Sequence, residues 1–154
     1  MKIKLLFLAI CLVASFNTYA KRVLTGTWQE QTNKTSSAFL DRYYFNNADS
    51  TFEFFPTEYN GLNRVLSFGG KFRLEKDTIF FNVTFIREYI GGYPTRSRIT
   101  TMSDKWELTE GVINLKKLES IKEESVVFKM GYDNGKKTDY ISIDGNLFYK
   151  IQDE

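Results

Sequence analysis

The sequence predicts an all-β domain, an antiparallel up-and-down β-barrel of about 8–10 strands. Three observations carry this prediction: apolar and polar residues alternate along most of the 154 residues, tight-turn sequences recur between the alternating segments, and no segment has convincing helical periodicity. Closure into a barrel leaves no open sheet edge. A sandwich of two sheets is the alternative, because periodicity alone does not separate the two folds.

The clearest strand is 65–75, where alternation places five residues on one face: Leu66, Phe68, Gly70, Phe72 and Leu74. Lys76-Asp77 then predicts a turn, and the next strand (78–86) presents Ile79, Phe81, Val83 and Phe85. Gly69-Gly70 predicts a bulge or a sharp bend, which a small barrel needs in order to close. The remaining strands are expected at 23–32, 39–45, 51–55, 98–108, 112–118, 125–132, 138–143 and 146–151.

Turn sequences separate these strands at Asn46-Asn47-Ala48-Asp49, Glu110-Gly111, Asp133-Asn134-Gly135 and Asp144-Gly145. Two longer segments, 56–64 and 87–97, hold both prolines of the chain and three tyrosines, and both are expected to be loops. Nothing in the composition indicates a domain boundary or an internal repeat.

The first twenty residues have the pattern of an export signal. Lys2 and Lys4 precede an apolar run too short to span a bilayer, and Thr18-Tyr19-Ala20 offers a small-residue cleavage site. We therefore expect a signal peptide at 1–20, a single domain at 21–154, and a periplasmic or secreted protein. Lipid attachment at Cys11 is not expected, because Ile10 stands where a lipidation motif needs a small residue.

The composition of the mature chain excludes several function classes. The full chain has 21 basic and 19 acidic residues, and removal of Lys2 and Lys4 with the signal leaves 19 of each. The formal net charge of the mature chain is therefore zero, and general attraction to nucleic acid is not expected. Cys11 is the only cysteine, and the chain contains no histidine. A thiol nucleophile, a Ser-His triad and a conventional zinc site are therefore excluded, and we expect no enzyme, cofactor or metal.

A family resemblance rests on Leu24-Thr25-Gly26-Thr27-Trp28, which places a Gly-x-Trp motif on the first mature strand. With the chain length and the meandering strands, this motif resembles the lipocalin and calycin group, and more narrowly the lipocalin-like domains of small secreted bacterial proteins. The resemblance implies an eight-stranded barrel with Trp28 packed across the closed end beneath a cup. It also implies a basic residue of a late strand stacked on Trp28, for which Lys150 is the candidate.

Avidin-type proteins share the Gly-x-Trp opening. A biotin pocket needs several tryptophans, and this chain offers only Trp28 and Trp106, so biotin binding is not expected.

Aromatic residues are the one informative excess, at 16% of the chain. They either fill the barrel interior or line a cup that admits an apolar ligand, and the sequence is compatible with both interpretations because the same residues are involved. The candidate lining residues are Phe54, Phe68, Phe72, Phe81, Phe85, Trp106 and Phe128, with Tyr43 and Tyr132 as sources of hydroxyl groups.

The leading functional hypothesis is an exported, non-catalytic barrel that binds a small, partly apolar molecule in its cup. The alternative is a barrel with a filled core that binds a protein or a glycan through segments 56–64 and 87–97. Under that alternative the anchors are Tyr59, Tyr89, Ile90 and Tyr93, since exposed aromatic and apolar loop residues commonly anchor contacts.

Overall fold

The computed structural model describes residues 24–34, 40–58, 61–97 and 105–151, with the backbone alone at 120 and 121. Eight antiparallel strands in sequential order close into a barrel, which confirms the predicted fold class and fits a lipocalin-like fold. The strands are β1 (Gly26–Glu30), β2 (Arg42–Asn46), β3 (Thr51–Phe55), β4 (Val65–Glu75), β5 (Thr78–Arg96), β6 (Trp106–Asp133), β7 (Thr138–Ile143) and β8 (Asn146–Lys150).

Pairing of the first strand with the last closes the barrel. Trp28 lies opposite Tyr43 of β2 on one side and opposite Lys150 of β8 on the other. The hairpin turns at Lys76-Asp77 and Asp144-Gly145 stand where the sequence predicts them. Asp144 and Gly145 have φ angles of 50° and 82°, the left-handed pair that a two-residue hairpin requires.

The long hairpin of β5 and β6 differs from the sequence prediction. Segment 87–97 is not a loop: β5 continues through Arg96, and Gly91-Gly92 and Pro94 lie within it. The expected turn at Glu110-Gly111 is also absent, because both residues belong to β6, which is 28 residues long. Glu110, Gly91 and Gly92 have positive φ, so the residues that suggested turns bend a continuous ribbon instead.

The described ladders of β4 with β5 and of β5 with β6 contain three register shifts, the first of them between Val65 and Ser67. The ladder between β4 and β5 shifts register between Gly69 and Gly70, which confirms the predicted bulge. The ladder between β5 and β6 shifts between Val83 and Phe85, where Thr84 stands opposite segment 118–121. A register shift changes which face of the sheet the following side chains occupy.

The core is an apolar cluster inside the barrel. Trp28, Phe45, Ile79 and Ile141 are fully buried, and further aromatic and aliphatic side chains pack around them: Leu24, Phe52, Phe72, Phe81, Val83, Phe128, Ile143 and Phe148. Among the described residues there is no helix long and apolar enough to cross a membrane.

Candidate functional site

Tyr43 lies at the centre of the aromatic cluster. Its ring centroid is 4.7 Å from that of Phe54, 5.0 Å from Phe148, 5.5 Å from Phe45 and 5.8 Å from Phe81. These separations are those of rings in direct contact, and the contacts continue from Phe54 to Phe68 at 5.1 Å. These rings therefore form one packed aromatic cluster inside the barrel.

Burial changes the acidity of the phenol at this centre. It raises the pKa of Tyr43 to about 12, with smaller contributions from the negative charges of Asp41 and Asp144. The hydroxyl therefore stays protonated at physiological pH and does not act as a base there.

Six of the nine candidate cup residues lie in the interior: Tyr43, Phe54, Phe68, Phe72, Phe81 and Phe128. Phe85 does not, which corrects the inward orientation expected of it. Phe85 lies opposite Gly69 of β4, and Gly69 lies opposite Glu53 of β3, whose side chain is on the outer face. The Phe85 ring covers Gly69 on that face, since a Cβ on Gly69 would lie 2.7 Å from the ring. The register shift at Thr84 turns Phe85 outward while Phe81 and Val83 point inward.

Trp106 and Tyr132 are also not interior residues. Trp106 is 47% exposed near the far end of the β5–β6 ribbon, where the Arg96 guanidinium lies 5.0 Å from its ring centroid. Tyr132 is 56% exposed at the opposite end of β6. The sequence predicted short strands here, whereas Trp106 begins one long strand at the end remote from the barrel core, and Tyr132 pairs with Asp139 of β7 one residue before that strand ends.

The Gly-x-Trp motif has the packing that the family resemblance implies. Trp28 is fully buried, its Nε1 donates a hydrogen bond to the Thr25 carbonyl, and the Lys150 ammonium lies 5.7 Å from its ring centroid. That distance is within cation–π range. Gly26 has a φ of 78°, a conformation that favours glycine.

The candidate partner residues of segment 87–97 lie on the ribbon. Ile90 and Tyr93 are exposed, and the Tyr93 hydroxyl donates to Glu110. Tyr89 is half-buried, and its hydroxyl accepts a hydrogen bond from the Gly111 amide. Its ring therefore packs over Gly111 and is not directed into solvent, as a contact with a partner would require. Tyr59 lies outside the described residues.

Segment 56–64 and the ribbon meet. The Arg64 guanidinium donates to the carbonyls of Tyr89 and Gly91, and the Leu108 amide donates to the Gly61 carbonyl at 2.9 Å. A Cβ on Gly61 would collide with the backbone of Trp106, so only glycine allows this approach. The two segments chosen from the sequence therefore form one continuous surface.

Beneath that junction lies a cleft of about 340 Å³ on the outer face of the sheet. Its lining joins β2, β3, β4 and β5 to segment 56–64 and includes the side chains of Arg42, Phe55, Glu58, Ser67 and Arg87. None of the rings of the interior cluster around Tyr43 lines it.

Ser67 and Arg87 form one wall of the cleft, and both contact the Glu53 carboxylate. Ser67 is fully buried and donates to Glu53 at 2.5 Å, while Nε of Arg87 lies 3.4 Å from the same carboxylate oxygen. Ser67 lies opposite Arg87 in the β4–β5 ladder, so the two side chains share the outer face. Glu53 thus holds Arg87 in place at the cleft wall.

The other wall consists of Arg42 with its partners. Its guanidinium lies 3.3 Å from Glu58 and 5.5 Å from the ring centroid of Phe55. A second cavity of about 250 Å³, lined by Thr27, Tyr43 and the exposed Tyr44, shares Arg42 and Phe55 with the cleft. The two cavities are therefore neighbours on one outer surface.

Sequence reasoning missed this cleft, although it singled out segment 56–64. Arg42, Glu53 and Arg87 are outward residues of ordinary alternating strands, and nothing in their spacing marks them. The only available signal was that charged residues flank a long loop. No group of three metal-ligating side chains occurs in the described parts of the chain.

Comparison with known proteins adds no assignment: no family model matches the chain, and neither the curated proteins nor the solved structures contain a significant match.

Proposed function

We propose that this protein is a non-catalytic carbohydrate-binding module that holds a neutral oligosaccharide in the outer cleft beneath segment 56–64. The observation that carries the proposal is the location of the available space. The interior rings around Tyr43 are in mutual contact, whereas the outer face offers two adjoining cavities of about 340 and 250 Å³.

The charge of the cleft favours a neutral ligand. Arg42 is balanced by Glu58, and Arg87 is balanced by Glu53, so the site has no uncompensated charge for an anion or a cation. Paired guanidinium and carboxylate groups offer donors and acceptors side by side, which suits vicinal hydroxyl groups. Phe55 adds an apolar surface for the ring face of a sugar.

The extent of the surface favours an oligosaccharide over a single sugar. The two cavities adjoin at Arg42 and Phe55, and Tyr44 stands 47% exposed in the second one. Exposed tyrosine provides a flat, rigid contact at a low cost in conformational entropy. Each cavity corresponds to one sugar subsite in this proposal.

The proposal also includes membership of the lipocalin-like group and export of the mature chain. The Gly26-Thr27-Trp28 motif, the closed eight-stranded barrel and the Lys150 contact on Trp28 support the family. The basic start, short apolar run and small-residue cleavage site of 1–20 support export to the periplasm or beyond.

A glycan array followed by calorimetry tests the binding function. We expect the purified chain to bind neutral oligosaccharides, and Arg42→Gln and Glu58→Gln each to weaken binding at least about tenfold, because each breaks the guanidinium–carboxylate pair that presents charge-assisted donors and acceptors to the sugar. Glu75→Gln, at the exposed far end of β4, is the matched charge control and should leave affinity unchanged. Absence of any glycan hit, or hits insensitive to both cleft variants, would overturn the proposal.

A further inference from the structure

One edge of β6 has no strand partner in the described part of the chain. β6 pairs with β5 as far as Val127, and it pairs with β7 only from Phe128 to Asp133. The edge that faces away from β5 therefore stays open between Val112 and Val127. Side chains on both faces of this stretch are exposed, among them Ile113 at 58% and Val127 at 56%. Such an edge is a template for pairing with another strand.

Two backbone hydrogen bonds determine which amides point to the open edge. The Tyr89 amide donates to the Arg64 carbonyl, away from β6, so Tyr89 and its partner Ile113 form a non-hydrogen-bonded pair. The Phe128 amide donates to the Asp77 carbonyl, toward β5, so the amide of Val127 points away from β5. By alternation the open edge presents the amides of 113, 115, 117, 123, 125 and 127.

We propose that a second copy of this chain pairs with this edge, β6 antiparallel to β6, around a two-fold axis at position 120. In this register 113 lies opposite 127, 115 opposite 125, and 117 opposite 123, so every outward amide meets an outward partner. The contact is isologous, as closed dimers require.

The irregularity of β6 at 118–121 does not disturb the register. On β5, Tyr89 and Thr78 lie opposite 113 and 127, Arg87 and Phe80 lie opposite 115 and 125, and Phe85 and Asn82 lie opposite 117 and 123. The midpoint of each of these three β5 pairs lies between Val83 and Thr84. All three proposed pairs therefore share one two-fold axis when their positions are counted along β5, as they do when counted along the sequence of β6.

Charge selects this register over its neighbours. It places Lys116 opposite Glu124 and Lys117 opposite Glu123, one pair on each face of the new sheet, and it places Ile113 opposite Val127. A shift of two residues in one direction would oppose Lys116 to Lys122. A shift in the other direction would oppose Glu119 to Glu123, and like charges directly opposite are destabilising.

Sedimentation velocity of the purified chain with charge-swap variants tests the proposal. We expect a dimer at about 100 µM, and at least a tenfold weaker dimer for Lys116→Glu with Lys117→Glu and for Glu123→Lys with Glu124→Lys. An equimolar mixture of these two double variants should recover a heterodimer, because each then presents the charge that the other lacks.

Lys105→Glu with Lys129→Glu is the control, since it makes the same charge change at exposed positions outside the proposed pairing. Far-UV circular dichroism shows that each variant folds, independently of its association. A wild-type chain that stays monomeric at about 100 µM, a dimer insensitive to either double variant, or a mixture that fails to form a heterodimer would each overturn the proposal. Glycan binding by a monomer would leave the carbohydrate function intact, so the two proposals fail separately.

Discussion

The ammonium group of Lys150 lies 5.7 Å from the ring centroid of Trp28, and the two residues are directly paired across β8 and β1. This contact joins the two ends of the described chain, because β1 is the first strand of the barrel and β8 is the last. Closure of the barrel therefore depends on a contact of very large sequence separation, the kind of pairing that is associated with slow folding.

Replacement of Trp28 by Phe is expected to lower the free energy of unfolding by about 1–3 kcal/mol, because it leaves a cavity in a fully buried site and removes the Nε1 hydrogen bond to Thr25. Urea denaturation measures the change.

Lys150→Met, which keeps most of the side-chain length, should cost about 0.5–1 kcal/mol of unfolding free energy through the lost cation–π contact. In a double variant with Trp28→Leu, which removes the aromatic ring, the Lys150 effect should largely disappear; fully additive costs in that cycle would show that the two side chains do not interact.

Tyr43 is expected to make the protein alkali-sensitive. Its folded pKa is raised to about 12 by burial, above the ordinary value of 10.0. The unfolded chain therefore loses this proton first as pH rises, and the stability that is fully present below pH 10 falls between pH 10 and 12, by roughly 2–3 kcal/mol in total. Urea denaturation at about pH 8 and about pH 11.5 measures this loss.

Tyr43→Phe is the matched variant for that measurement, because it keeps the ring contacts and removes the titrating hydroxyl. Its stability should fall less steeply over the same pH range. Equal slopes for the two proteins would assign the alkaline loss to other groups.

Gly70 is expected to tolerate no side chain. A Cβ there would lie 2.9 Å from the Thr84 amide nitrogen and still closer to the Asn82 carbonyl oxygen, and backbone atoms cannot move aside cheaply. Gly70→Ala should therefore destabilise the fold by about 1–3 kcal/mol. Gly135→Ala is the control, since its Cβ would meet only the Asp133 carboxylate, at 3.2 Å. Similar unfolding midpoints for the two variants would contradict the close approach of β4 and β5.

Period-2 alternation and turn residues were sufficient to predict the fold class and most of the short strands. The predicted turns at Lys76 and Asp144 form because these local signals coincide with the ends of the apolar alternation. The hairpin of β5 and β6 was misread for the same reason. Gly91-Gly92, Pro94 and Gly111 are local turn signals, and the long-range pairing of the two strands overrides them.

Assignment of side chains to the interior depended on counting residues along unbroken strands. This was correct for Phe72 and Phe81, and it failed for Phe85, because one unpaired residue at Thr84 reverses the alternation beyond it. No feature of the sequence marks Thr84 as the point of reversal. The outer cleft was not predictable either, since it depends on how segment 56–64 folds back over strands from distant parts of the chain.

The state of the interior yields the last prediction. Tyr43 is in ring contact with Phe45, Phe54, Phe81 and Phe148, so a cargo molecule could enter among these side chains only by separating rings that now touch. Native mass spectrometry of chain 21–154, purified without detergent, should therefore give the mass of the bare polypeptide. Addition of a host lipid and metabolite extract should produce no adduct with the wild-type chain. Phe81→Ala opens space beside Tyr43, so any adduct that forms in the interior should be more abundant with this variant. A mass excess in the wild type that disappears on denaturation would instead establish binding in a cup, with the rings displaced by the ligand.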